Sequence, residues 1–194
     1  MKGKSLIHYL KYIAGVDKPY TQTSLYEQKA LMKYASRSKS IAEIGVFEGV
    51  NTCAFALSSP ADAIIYAIDP FFKANLGISY GKLIALHTWG KNSVTNKIKI
   101  FEGLSWDVYP LINHSLDFIF IDADHSFAAV KRDFELYSEK LSANGVIAFH
   151  DAKVFSGGWV EADWGPVQLI DEIKKNRDWK IIEEVDSTVF IQRT

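Results

Sequence analysis

Disulfides are the first thing this sequence does without. Its single cysteine, Cys53, can form no internal bridge and suits a reducing compartment; a small buried thiol is the expectation for it. Charge of one sign is also lacking. Lys and Arg number 22 against 23 Asp and Glu, a net charge of −1, so no broad basic face points to nucleic acid. No run reaches the roughly 18–20 apolar residues that span a bilayer. The opening stretch is interrupted at Lys11 and no small-residue cleavage pattern follows it, which argues against a signal peptide. A soluble, cytoplasmic chain is expected.

Repeats, low-complexity tracts and Pro/Ser-rich linkers are absent as well, which leaves one domain. The expected division is 1–36 for N-terminal helices and 37–194 for a sheet core. What is present fits ordinary globular packing, with 48% hydrophobic residues. Leu6, Leu10 and Ile13 share one face of a first amphipathic helix. Ser24-Leu25-Tyr26-Glu27 has the spacing of a capping box and starts a second helix near residue 25.

From there the pattern alternates. Ser40–Val46, Ala63–Ile68, Lys97–Phe101, Leu116–Ile121 and Gly145–Phe149 are short apolar runs with helical intervals between them, as in a buried parallel sheet. Phe127, Val130, Phe134, Tyr137 and Leu141 fall at three- and four-residue steps, one helix face. Five cycles of this kind predict an α/β fold with a doubly wound, mostly parallel sheet. Trp179–Val185 and Ser187–Gln192 flank Asp186 too closely for a crossover and should close the sheet as an antiparallel hairpin.

Sites in such sheets gather at the carboxyl ends of the strands, and here those ends are acidic. Glu43, Asp69, Glu102, Asp122 and His150-Asp151 all fall there, and packing alone does not account for so many charges. Glu43-x-Gly45-x-x-x-Gly49 joins the first strand to a helix. Gly45 permits the turn and Gly49 lets a ligand approach the helix N-terminus. The spacing differs from the G-x-G-x-x-G of dinucleotide enzymes, and its acidic groups suit a ligand carrying positive charge. Asp69, 26 residues after Glu43, is placed to accept hydrogen bonds from a ribose diol. Ser105 could read an adenine edge or cap the helix over 106–112; the two roles are compatible.

These residues, with Ile68-Asp69-Pro70, Phe118–Ser126 and Gly145–Asp151, make the chain resemble a family over residues 22–192. The family is the class I S-adenosylmethionine (SAM)-dependent methyltransferases, in particular the group related to macrolide-sugar and catechol O-methyltransferases. The resemblance implies a seven-stranded Rossmann-like sheet with its last strand antiparallel. It places Glu43 and Gly45 at the methionine part of SAM, Asp69 at the ribose and Ser105 near the adenine. It makes Asp122 a metal ligand, His125 the general base, and Asp151 with His150 the rest of a divalent-cation site (Mg²⁺ or Mn²⁺). His150 departs from the acidic residue those relatives carry; imidazole is a poor partner for Mg²⁺, so orienting Asp151 or the substrate is its other reading. Asp124 reads as a supporting or solvated carboxylate.

Methyl transfer to oxygen is an in-line attack that needs the hydroxyl's proton removed, which is work for a metal and a histidine together. The Gly- and Trp-rich loop over 152–165 suits an acceptor-binding lid. The first helix and the segment over 71–81 should frame the same opening, or else form a homodimer contact. By family analogy the expected acceptor is a sugar or glycan hydroxyl, or another small molecule. An NAD-dependent oxidoreductase and a non-catalytic SAM-binding scaffold are the rival readings.

Overall fold

The computed structural model describes residues 2–74 and 77–194. Residues 75 and 76, inside the segment expected to frame the opening, lie outside the described residues. The chain runs α1 (Lys2–Ile13), α2 (Leu25–Ala35), β1 (Ser40–Ile44), α3 (Val50–Ser58), β2 (Ile64–Asp69) and α4 (Tyr80–Lys91). It continues with β3 (Ile98–Glu102), α5 (Ser105–Val108), β4 (Leu116–Ile121), α6 (Phe127–Ser138) and β5 (Leu141–Phe149), then α7 (Gly165–Ile173), β6 (Trp179–Val185) and β7 (Thr188–Arg193). The seven strands form one sheet in the order β3-β2-β1-β4-β5-β7-β6. β7 runs antiparallel to both β5 and β6; the neighbouring pairs from β3 to β5 are parallel.

Period-2 alternation divides the core into two layers. Ile41, Ile65, Phe118, Phe120 and Phe190 pack with Leu31 of α2, Phe55 of α3 and Trp89 of α4. Their strand neighbours Ala42, Tyr66, Ile119, Phe149 and Ile191 pack on the other face with Tyr137 of α6 and Ile170 of α7. Both faces are covered, which is why the strands read as continuous apolar runs rather than alternating ones. A fully buried Phe such as Phe120 contributes about 2–3 kcal/mol through removal of its surface from water.

Two predicted details change. Leu141 is the first residue of β5, three residues past the end of α6 at Ser138; Gly145 is tucked against it, with Leu141 Cδ1 only 2.6 Å from where a Cβ would stand. In α1 the Leu6, Leu10 and Ile13 stripe faces outward, 38–56% exposed. The side turned to the body carries polar groups instead. His8 is buried between Asp17 (3.2 Å) and Glu48 (3.1 Å) and stacks on Tyr20, while Tyr12 hydrogen-bonds His87 and Thr88 of α4. Hydrogen-bonding groups, rather than the apolar stripe, decide which way this helix faces.

Candidate active site

Strand order reverses between β1 and β4, and the crevice at that point is where open α/β sheets bind ligands. A cavity of about 650 Å³ opens there. Its floor is the β1–α3 turn. Gly45 has φ +89°, and a Cβ on it would stand 1.9 Å from the Asp122 carbonyl oxygen, so only glycine lets β1 and β4 meet this closely. Gly49, at φ +72°, caps α3. Asp69 holds the turn from the side, one carboxylate oxygen accepting from the Val46 and Phe47 N–H groups at 2.8 and 3.0 Å, the other from Phe71 N–H at 2.6 Å. It also lines the cavity, and a carboxylate with four acceptor positions keeps room for one further donor.

Glu43 is placed differently from the rest. Its strand position turns it to the α2–α4 face, where it is buried and accepts a hydrogen bond from Thr52 of α3. It lies outside the cavity lining. Burial pushes its pKa well up, against the Thr52 bond and with help from the charges of Asp122 and Asp69. Ser105 lines the cavity, but it is the first residue of α5 rather than its cap; its hydroxyl donates to Asp133 of α6.

At the tips of β4 and β5 the acidic and imidazole groups converge. Asp122, His125 and Asp151 each offer a ligand atom within 4.8 Å of the others. His125 Nε2 lies 3.8 Å from Asp122 and 3.5 Å from Asp151, and its ring stacks on Trp164 at 5.2 Å. Asp151 has φ +51°, a left-handed conformation that costs free energy and that Asp tolerates better than most residues. Trp159 Nε1 donates to its Oδ1 at 2.9 Å. The 152–165 loop is thus pinned to the site at its middle and at its C-terminal end, where Gly165 N–H bonds the His125 carbonyl at 3.0 Å.

His150 sits behind this cluster, fully buried, with Nδ1 3.2 Å from Asp122 and 3.4 Å from Asp151 and Nε2 3.5 Å from Glu27. Burial opposes its charge, but three carboxylates on two sides raise its pKa well above the imidazole range. It stands apart from the three residues able to share an ion. Burial alone would raise Asp122; His125 and His150 overcome that and hold it at about 2. His125 is raised by Asp122 first, against the opposing effect of burial, with Asp151 adding to the rise. Asp124 accepts from Ser126 N–H at 2.7 Å and supports the start of α6.

The chain matches the family model described as a methyltransferase domain over residues 42–152. It belongs to that methyltransferase family. The match covers the β1 turn, both acidic strand tips and the His150-Asp151 pair. "Probable caffeoyl-CoA O-methyltransferase 3" of Dictyostelium discoideum is 32% identical over 139 residues, 69% of this chain and 51% of the relative. "O-methyltransferase hkm8" of Aspergillus hancockii is 30% identical over 138 residues, 70% and 52% respectively. The chain therefore spans about half the length of the curated relatives it matches. Among solved structures, cofactor-bound Rv0187 from MTB superposes with a TM-score of 0.73 at 16% identity, over 98% of this chain and 89% of that one. TomG from Streptomyces achromogenes, solved with SAM, gives 0.69 at 16% identity, over 98% and 90%. This is the class I methyltransferase fold, with a Rossmann-like sheet.

Two buried carboxylates beside the site escaped the sequence reading. Glu27 was accounted for by its capping box, which is formed; nothing local shows that its other oxygen also takes Ser187 N–H, Ser187 Oγ and Thr188 Oγ1. Asp133 did carry a signal, as an acid between Val130 and Tyr137 on the buried side of α6. Among the described residues no helix is long and apolar enough to cross a membrane.

Proposed function

We propose that the methyltransferase family chain is a SAM-dependent O-methyltransferase, assisted by a divalent cation, that methylates a hydroxyl on a ring-bearing small molecule. The observation that carries this reading is the meeting of Asp122, His125 and Asp151 at one end of the cavity. The two carboxylates, Asp122 and Asp151, suit Mg²⁺ or Mn²⁺, so the residues present fit the cation with His125 kept as the base. When bound, it lowers the pKa of an acceptor hydroxyl and fixes its oxygen for attack.

The protein's own groups do the rest. Asp122 and Asp151 would hold the cation, and His125 Nε2 would accept the proton of the acceptor hydroxyl. Bound SAM would supply the methyl group, its C–S bond breaking as the O–C bond forms to give S-adenosylhomocysteine and the methyl ether. The Trp164 ring stacked on His125 fixes the imidazole plane. Gly45 admits the methionyl part, Gly49 makes room for Trp89 beneath α3, and Asp69 accepts from one hydroxyl of the ribose. Glu43, buried beneath the turn, supports α3 through Thr52. His150 orients Asp122 and Asp151 from behind. Trp159, half-exposed beside Asp151, supplies a flat platform for the acceptor. Sugars stack on such faces, which makes them the first acceptor class to screen; phenols follow from the relatives' names.

The test is a thermal-shift titration with S-adenosylhomocysteine, with NAD in parallel. At a hundred times its dissociation constant a ligand stabilises the fold by about 2.7 kcal/mol. Stabilisation by S-adenosylhomocysteine is expected, and by NAD is not. Turnover of glycosides and phenols, with and without EDTA and with Mg²⁺ or Mn²⁺ restored, then tests the acceptor and the cation. Full turnover in EDTA removes the cation from the mechanism.

A further inference from the structure

Three aromatic side chains stand exposed at the mouth of the cavity. Tyr20, Phe47 and Phe72 all line it, at 53%, 53% and 80% exposure. Apolar surface gathered at a ligand opening marks a binding surface. Two of the rings are also held in place. One face of Tyr20 lies on the His8 ring, with centroids 3.7 Å apart and planes at 14°. Its N–H donates to the buried Glu48, which also bonds His8 at 3.1 Å. Glu48 follows Phe47 in the chain, so both rings are mounted on one support. Phe47 has φ +53°, a left-handed conformation that a bulky residue adopts only at a cost. Asp69 fixes it there through the Phe47 N–H at 3.0 Å, and its other oxygen holds Phe71 N–H, just before Phe72. Strain of this kind persists where the surroundings enforce it, and it gathers at functional positions.

Charge narrows what these rings meet. Among the described residues that line the cavity there is no Lys or Arg; its charged groups are Asp69, Asp122, Asp124, His125 and Asp133. A cation at Asp122 and Asp151 offsets part of that acidity, and three carboxylates remain. A carboxylate or phosphate on the acceptor would enter without a counter-charge, at a high desolvation cost. The aromatic surface is continuous with the chemical end. Gly45 packs on the Asp122 backbone, and Phe47 lies only two residues further on, about 7 Å of chain at most. A ring whose hydroxyl lies at His125 can therefore send a substituent outward past Phe47. We infer that the acceptor is uncharged and carries an apolar substituent, an alkyl or prenyl chain or a further ring, that lies on Tyr20, Phe47 and Phe72. This deepens the O-methyltransferase reading and rests on it. Rings fixed before the ligand arrives lose little freedom on binding, which favours them as a landing surface.

The experiment uses the chain saturated with S-adenosylhomocysteine, with Mg²⁺ present. Calorimetry measures its affinity for 4-alkylphenols and alkyl β-glucosides from methyl to hexyl, each paired with a chain of equal length ending in carboxylate. A fully buried methylene is equivalent to about fourfold in affinity, so a chain covered on one side should gain about twofold per carbon. That gain is expected in at least one series, with the carboxylate partner bound at least tenfold more weakly. Phe72→Ser changes an exposed position, and Phe47→Gly suits the left-handed backbone, so both variants should fold. Each should reduce the gain per carbon, and the double variant should bring it to within about 1.3-fold. Absent or chain-independent binding by wild type, tighter binding of the carboxylates, or a gain unchanged in the double variant overturns the inference while leaving the cofactor reading intact. A dimer in sedimentation that Phe72→Ser separates, with no chain dependence, would assign the surface to a second copy and overturn it too. Failure of wild type to bind S-adenosylhomocysteine at all overturns both readings.

Discussion

Asp122 and Asp133 are aspartates in the wall of one cavity, and their proton affinities part in opposite directions. Asp122 is held at about 2 because two imidazoles outweigh the effect of burial. Asp133 is pushed up to about 6 by burial, with a Ser105 hydroxyl as partial compensation. Burial is common to both, so the partner decides the charge. One end of the cavity carries internally matched charge, suited to holding a cation and moving a proton. The other end carries a buried carboxylate whose one hydrogen-bond donor among the described residues is a neutral hydroxyl.

The largest effect that would break this contrast is at the matched end. His125→Ala should lower turnover by about 10²–10⁴, the usual contribution of a general base, while S-adenosylhomocysteine affinity changes less than about threefold. Steady-state kinetics beside calorimetry check both halves, and unaffected turnover would take His125 out of the mechanism. Asp122→Asn leaves His125 and the buried His150 without their shared partner. It should cost about 3 kcal/mol of stability, read as a lower urea midpoint in the cation-free protein.

At the other end the sign reverses. Asp133→Asn should stabilise the ligand-free protein at pH 7 by about 1–3 kcal/mol, because it removes a poorly compensated buried charge. The folded-state pKa of about 6 lies above the usual 3.8, so the native chain holds this proton more tightly than the unfolded one. The wild-type contribution is therefore intact below about pH 3.8 and is lost as pH rises through about 6. Urea midpoints of the two proteins should converge near pH 4 and separate up to about pH 6; a gap independent of pH contradicts the argument. The smallest effect is expected from Trp159→Phe, which removes one donor from Asp151. About 1 kcal/mol, or roughly fivefold in kcat, is the expected loss.

How legible this was depended on the range of the forces involved. Alternating strands and helices, the glycine turn and the acidic tips are local patterns, so the sheet and the meeting of Asp122, His125 and Asp151 could be anticipated. For Glu43 the E-x-G-x-x-x-G spacing says which strand end it occupies but not which face it takes; the pleat turns it to Thr52. The exposed stripe of α1 shows the same gap, since a buried His8 between two carboxylates outweighs apolar periodicity. Ser105 could be singled out from its own stretch while its partner Asp133, 28 positions on, could not, because no local pattern couples a loop hydroxyl to a later helix.

Glu27 ties the start of α2 to the turn before β7, 160 residues later, and lies against His150. β7 itself enters the sheet between β5 and β6. Assembly of the chain therefore has an order. The cradle made by β1 to β3 can close early, whereas the groups behind the chemical end are fixed only when the last strand threads into its slot, at the cost of closing a long loop. Momentary loss of β7 would free Glu27 and loosen the groups behind the chemical end while leaving the cradle standing.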